Sequence, residues 1–158
     1  MQSAMSVAFW GVRGTVPSPG ASTVRYGGNT PCVEVRCGEQ RIVLDAGTGL
    51  RPLGDHLMQS ASAIDVDIFL SHCHIDHING LPEIMDYRPA KTIYAGKAFF
   101  EDKRLTTKFL RDELKQIVEI NNIRQKPGSA GIKVLWPTPE VQEDNSISDN
   151  DKSLVMLI

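Results

Sequence analysis

The histidines of this chain are strongly clustered. The sequence contains four histidines, and three of them fall within residues 72–77, which read HCHIDH. The cluster directly follows the apolar run 65–71, which is typical of a strand buried on both faces. Loops that carry functional groups in α/β proteins commonly begin at the carboxyl ends of such strands. The cluster therefore predicts a buried strand that ends in a metal-binding loop.

The spacing of the cluster suits metal coordination. In an extended chain, side chains two residues apart project to the same side, so His72 and His74 can converge on one ion. If a helical turn follows, Asp76 and His77 point another way and can supply a carboxylate and an imidazole to a second ion. Two ions would clamp the attacking and leaving oxygens of a phosphoester, and a single zinc is the alternative.

Composition limits the class of protein. The 158 residues fit a single domain spanning 1–158, and 41% hydrophobic residues are enough to build a core. A net charge of -2 gives no overall field that would attract nucleic acid or anionic lipid. No apolar run approaches the roughly 20 residues of a membrane span, and the N-terminus does not resemble a signal peptide. We therefore expect a cytoplasmic protein that does not associate with membranes.

Apolar periodicity predicts strands that alternate with helices. The predicted strands cover residues 6–10, 31–37, 40–45, 65–71, 91–95, 132–136 and 153–158. Residues 11–28 and 137–152 are predicted to be loops, and 82–87 a helical turn. A short amphipathic helix is expected from Leu50 to Leu57. A longer helix is expected to bury one face, formed by Leu105, Phe109, Leu110, Leu114, Ile117 and Val118. The alternation indicates a layered α/β fold.

The cysteines and the fourth histidine have simpler interpretations. Three cysteines without a CxxC pair indicate neither a disulfide framework nor a zinc knuckle. Cys32 and Cys37 are expected to be small packing residues of a strand. Cys73 should point away from the flanking histidines and fill the core. His56, on the short helix, is expected to be exposed and to have no role.

Residues 71–82, SHCHIDHINGLP, resemble the signature of the metallo-β-lactamase superfamily, an HxHxDH motif after an apolar strand. Residues 42–49, IVLDAGTG, are similar to the strand of that superfamily that ends in Asp-x-Gly. FWGVRGTVP and VRYGGNTPCVEV resemble its phosphodiesterase-like members, and VLWP with NDKSLV resembles the hydrolase domain of DNA-uptake competence proteins. The resemblance implies an αββα sandwich.

The resemblance also implies a site. His72 and His74 would bind a first zinc, and Asp76 and His77 a second, with manganese or iron as alternative metals. Asp45 would support a ligand from behind without binding metal. A metal-bound hydroxide, oriented by Asp76 as the candidate catalytic residue, would attack a small-molecule or nucleotide phosphodiester. Thioester or lactam hydrolysis is the alternative, since one fold hosts all these reactions.

The later ligands of the superfamily lack counterparts in this chain. No histidine follows His77, and Asp149 and Asp151 lie in a polar stretch that is better interpreted as solvated. The chain also stops within the apolar run 153–158. We therefore expect a fold that is incomplete at the C-terminus, in a natural chain that continues. Two alternatives stay open: a catalytically incompetent fragment or remnant with weak or no metal binding, and a homodimer that covers the last strand.

Overall fold

The strands and helices of the chain alternate as the sequence predicts. The computed structural model describes residues 5–38, 40–59, 66–85, 90–114, 117–120, 133–136 and 155–157. The strands are β1 (Met5–Gly11), β2 (Cys32–Cys37), β3 (Gln40–Leu44), β4 (Val66–Phe69), β5 (Ala90–Ala95), β6 (Ile117–Glu119), β7 (Lys133–Trp136) and β8 (Val155–Leu157). The α-helices are α1 (Leu50–Met58), α2 (Ile75–Ile78), α3 (Lys97–Glu101) and α4 (Leu105–Glu113), with 3-10 helices at Ala21–Thr23 and Leu81–Met85. The α/β class is confirmed.

The main sheet contains six strands in chain order, from β1 to β6. The pairs β1–β2 and β2–β3 are antiparallel, whereas β3 to β6 run parallel. β7 and β8 pair with each other in a two-stranded antiparallel sheet. Because β3 and β4 are parallel neighbours, their carboxyl ends meet at one edge. Asp45 follows β3 at this edge, and the histidine cluster follows β4.

The larger core covers one face of the main sheet. α1 contributes Leu50, Leu53 and Leu57, which are all buried and recur at helical spacing. Ile68 of β4 faces this core, whereas its neighbour Phe69 packs on the opposite face in a smaller cluster. β4 is therefore buried on both faces, as its continuous apolar sequence predicts.

The predicted long helix is wrong in its last third. α4 ends at Glu113, and Leu114 adopts an extended conformation with φ -96° and ψ 91°. Ile117 and Val118 belong to β6, which pairs in parallel with β5. Both side chains are β-branched, and such residues favour a strand once a partner strand offers its backbone groups.

The buried face of α4 also differs from the prediction. Leu110 is buried, but Leu105 is 83% exposed and Phe109 50% exposed. Thr107 takes their place in the interior, where its hydroxyl donates a hydrogen bond to the Asp102 carboxylate at 2.6 Å. α4 therefore buries Thr107 and Leu110, and part of its apolar face meets solvent.

Three single-residue expectations are confirmed and one is wrong. Cys32 is buried and Cys73 is buried within the larger core, while His56 is exposed. Cys37, by contrast, is exposed, because it is the last residue of β2 and lies beside the turn of the β2–β3 hairpin, where it pairs with Gln40.

The C-terminal part of the chain is described only in two strands. β7 and β8 confirm the strands predicted near 132–136 and 153–158. The predicted loop 137–152, with Asp149 and Asp151, lies outside the described residues. In the ranges that are described, no helix combines the length and the apolar character needed to cross a membrane.

Candidate metal centre

The histidine cluster occupies the connection between β4 and α2. His74 is the residue that precedes α2, and it has an extended conformation with φ -64° and ψ 148°. The helical turn that starts at Ile75 then carries Asp76 and His77. The change from extended to helical backbone therefore occurs at the point where the spacing of the motif predicts it.

The three imidazole rings of the cluster lie in contact. The ring centroid of His72 is 4.7 Å from that of His74 and 4.1 Å from that of His77. Asp76 Oδ2 lies 3.6 Å from His77 Nε2. The structure thus gathers all four predicted ligands into one group, in which the His77 ring lies against that of His72 and its Nε2 lies near Asp76. Within the described ranges, no group of three histidine, cysteine, aspartate or glutamate side chains already has the spacing of a formed metal site.

Asp45 supports His77 from behind. The Asp45 Oδ2 atom lies 2.9 Å from His77 Nδ1. The same carboxylate accepts hydrogen bonds from the backbone amide of Ser71 at 2.8 Å and from the Ser71 hydroxyl at 2.8 and 2.9 Å. A carboxylate on Nδ1 holds the ring proton there and leaves the lone pair on Nε2, the nitrogen beside Asp76.

Ser71 extends this support to His72. Its Oγ atom lies 3.0 Å from His72 Nδ1. Because the one hydroxyl proton of Ser71 is donated to Asp45, Oγ accepts from His72 Nδ1–H, which places the lone pair of that ring on Nε2. The sequence pattern did not assign Ser71 to the site. Its only signal was its position directly before the motif.

Burial and neighbouring charges set the protonation of the cluster. Burial and the adjacent His77 and His74 lower the pKa of His72 to about 4. Burial lowers the pKa of His77, but the hydrogen bond and charge of Asp45 outweigh it, so that this pKa is raised. Burial raises the pKa of Asp76, but the hydrogen bond from the Thr15 amide and the charge of His77 outweigh it, so that this pKa is lowered. A neutral imidazole and an ionised carboxylate are the forms that bind a cation.

The loop between β1 and β2 reaches Asp76. The backbone amide of Thr15 donates a hydrogen bond to Asp76 Oδ2 at 2.8 Å across 61 positions of sequence. Thr15 has a φ of 74°, a left-handed conformation that is rare for a β-branched residue. Strained residues of this kind tend to occur at functional sites. No local pattern in the sequence indicated this contact.

Two glycines allow the loop after β4 to pack against the turn after β3. A Cβ atom on Gly80 would lie 2.2 Å from the carbonyl oxygen of Gly47, and one on Gly47 would lie 2.4 Å from that of Asp76. Backbone hydrogen bonds join the segments, since Ala46 N donates to His77 O and Gly80 N donates to Ala46 O, both at 2.8 Å. The absence of a side chain at Gly80 and Gly47 therefore allows the two segments to approach this closely.

A family model matches most of this chain. Residues 25–149 match the family model of the metallo-β-lactamase superfamily. No match was found among curated proteins. The metallo-β-lactamase fold protein YhfI from Bacillus subtilis is similar, with 21% identity and a TM-score of 0.56 over 85% of this chain and 53% of that one.

Two further solved structures resemble this chain. A Thermotoga maritima protein assigned to the metallo-β-lactamases has 20% identity and a TM-score of 0.51 over 82% of this chain and 65% of that one. A diphosphatase from the PhnP family has 19% identity and a TM-score of 0.51 over 75% and 50% of the respective chains. These likenesses show the fold. This chain spans between half and two thirds of the length of the three structures.

Proposed function

Because this chain belongs to the metallo-β-lactamase superfamily, we propose that it is a zinc-dependent hydrolase of the phosphodiesterase type. The observation that carries the proposal is the alignment of Asp45, His77 and Asp76. Asp45 lies 2.9 Å from His77 Nδ1, and His77 Nε2 lies 3.6 Å from Asp76 Oδ2. A carboxylate behind an imidazole is the usual support of a metal-binding histidine.

The donor set fits zinc by its chemistry. His72, His74, Asp76 and His77 would hold the metal, as one or two zinc ions, and manganese or iron would suit the same nitrogen and oxygen donors. When bound, the metal lowers the pKa of a coordinated water and polarises a phosphoryl oxygen. The histidines would bind as neutral rings, and burial keeps the pKa of His72 low enough for this form at neutral pH.

Asp76 is the candidate catalytic residue. Its carboxylate is buried and one of its oxygens is fixed by the Thr15 amide, so that the direction of the group is set before a substrate arrives. An ionised carboxylate in this position accepts a hydrogen bond from the attacking water and orients it. The proposed substrate is a small-molecule or nucleotide phosphodiester. Support comes from the phosphodiesterase-like sequence of 9–17 and 24–35 and from the fold shared with the PhnP-family diphosphatase.

Metal analysis and a substrate panel test the proposal. The purified chain would be loaded with zinc, dialysed and assayed with a chromogenic phosphodiester, a thioester and a lactam. We expect retained zinc and turnover of the phosphodiester that a chelator abolishes. His74→Ala should lose both, and His56→Ala, which removes an exposed imidazole on α1, should keep both.

Two results would contradict the proposal. A folded chain that retains no zinc would support the interpretation as a non-catalytic remnant. Turnover of the thioester or the lactam, but not of the phosphodiester, would retain the hydrolase and overturn the substrate class.

A further inference from the structure

Arg104 connects the start of α4 to the metal-binding loop. Its Nη2 atom donates a hydrogen bond to the backbone carbonyl of Cys73 at 3.0 Å and lies 3.0 Å from Cys73 Sγ. Cys73 stands between His72 and His74, and its carbonyl belongs to the peptide group that leads into His74. The cation therefore contacts the loop at the backbone between two proposed ligands.

Asp102 fixes the direction of the Arg104 guanidinium. Asp102 Oδ2 lies 2.7 Å from Arg104 Nε and 2.6 Å from Arg104 Nη2. The same oxygen accepts a hydrogen bond from Thr107 Oγ1 at 2.6 Å, and Asp102 Oδ1 accepts one from the Arg104 backbone amide at 3.0 Å. A side chain held at this many points loses little further freedom when it binds the Cys73 carbonyl.

We propose that Arg104 is a positioning residue that holds the peptide group between Cys73 and His74 and so sets the direction of the His74 imidazole. A peptide group is planar, so its rotation changes ψ of Cys73 and φ of His74 together and redirects the side chain of His74. The buried Cys73 side chain fixes one side of this segment in the core, and Arg104 fixes its carbonyl. The consequence for metal binding rests on the proposed function, whereas the ordering of the loop does not.

Arg111 provides a matched control. It lies on α4 and braces the same connection, donating hydrogen bonds to the carbonyls of Phe99 and Asp102. Its removal should loosen the α3–α4 connection while the Arg104–Cys73 contact stays. Arg104→Lys is the conservative variant, because lysine keeps the charge but lacks the fork that serves Asp102 and Cys73 together.

The first measurement needs no metal. Amide hydrogen exchange, followed by NMR on the whole metal-free chain, reports on His77 N and Asn79 N, which bond to the carbonyls of His74 and Ile75. We expect exchange at both amides to be about tenfold faster in Arg104→Ala, from the loss of one charged hydrogen bond. Arg104→Lys should be intermediate, and Arg111→Ala should match the wild type.

The second measurement is zinc affinity by competition with a chromogenic chelator. Loss of an outer support of metal ligands typically weakens binding about 10–100-fold, and we expect this for Arg104→Ala but not for Arg111→Ala.

The outcomes separate this inference from the proposed function. Unchanged exchange at His77 and Asn79 in Arg104→Ala overturns the role of Arg104, whether or not the wild type binds zinc. Equal acceleration in Arg104→Ala and Arg111→Ala also overturns it, because that result indicates general loosening of α4. Faster exchange confined to the Arg104 variants supports it, even if the wild type binds no zinc and the proposed function fails.

Discussion

Asp45 serves two residues of the candidate site through one carboxylate. Its carboxylate accepts hydrogen bonds from the Ser71 amide and hydroxyl and contacts His77 Nδ1. His77 therefore depends on Asp45 directly, and His72 depends on it through the Ser71 hydroxyl. Asp45 has a φ of 62°, a left-handed conformation that aspartate tolerates better than most residues. The backbone therefore stores some strain to present this carboxylate to the loop.

Replacement of Asp45 by asparagine should weaken zinc binding. We expect an affinity about 10–100-fold lower, because the neutral amide supports His77 less well than a carboxylate does. Chelator competition would measure this, with Glu101→Gln as a control that makes the same chemical change at an exposed position on α3. An affinity equal to that of the wild type in Asp45→Asn would show that the contact does not tune the metal ligands.

Asp102 should make stability depend on pH. Although burial favours the neutral acid, hydrogen bonds from Arg104 and Thr107 hold the pKa of Asp102 well below its usual range. A carboxyl group with a lowered folded-state pKa stabilises the fold above its unfolded pKa of about 3.9 and loses that contribution as the pH falls toward the folded-state value.

Asp102→Asn should therefore destabilise the chain at neutral pH and much less in acid. We expect the free energy of unfolding to fall by about 1.5 kcal/mol near neutral pH, the lower end for hydrogen bonds to charged groups, because Arg104 is half-exposed. The difference from the wild type should shrink below about pH 4. Urea denaturation at several pH values would measure it, and a difference that does not depend on pH would contradict the assignment.

At the scale of elements, the sequence predicts the helices and strands that are determined by contacts between residues close together in the chain. The β2–β3 hairpin follows from two apolar runs parted by a turn, and α1 follows from three leucines at helical spacing. The end of α4 does not follow in this way. Ile117 and Val118 continue the helical period of the sequence, and their conversion to β6 depends on the neighbouring edge of β5, which no local pattern reveals.

The same distinction between local and distant contacts applies to the candidate site. Its four proposed ligands are close neighbours in sequence, so that the motif alone gathers them. The supports come from afar: Thr15 is 61 positions from Asp76, and Arg104 is 31 positions from Cys73. Both contacts involve a backbone group, which residue identity does not reveal, and for this reason no sequence pattern predicts them.

Two neighbouring residues of α4 test the observed burial of that helix. Leu110 is 1% exposed and Phe109 50% exposed, although the sequence predicts both to be buried. Leu110→Ala should lower the free energy of unfolding by about 2–5 kcal/mol, the usual cost of truncating a buried leucine. Phe109→Ala should cost clearly less, even though it removes the larger side chain. Denaturant titration of both variants would measure the difference, and a reversed order would contradict the orientation of α4.

Gly80 tests the contact between the loop after β4 and the turn after β3. Because an added Cβ would lie 2.2 Å from the Gly47 carbonyl, Gly80→Ala should force the two segments apart and cost about 1–3 kcal/mol, as overpacking does. Gly96→Ala is the matched control, since its Cβ would meet nothing within 4 Å. Thermal denaturation would compare them, and equal stability of the two variants would show that the segments separate freely.

At the scale of the whole molecule, the candidate site connects distant parts of the fold. The loop after β4 is held by the turn after β3 through Asp45, by the β1–β2 loop through Thr15 and by the start of α4 through Arg104. Cys73 and Ile78, within the same stretch of chain, lie in the larger core. A ligand that binds this loop should therefore stabilise the whole domain.

Zinc should accordingly raise the stability of the chain by mass action. At a free zinc concentration 100 times the dissociation constant, one site adds about 2.7 kcal/mol to the free energy of unfolding, less whatever the unfolded chain binds. Urea denaturation with zinc and with chelator would measure the gain. His74→Ala should lose most of it, whereas His56→Ala should keep it, because His56 is exposed on α1. An equal gain in both variants would mean that zinc binds elsewhere, since only a site that includes the loop can depend on His74.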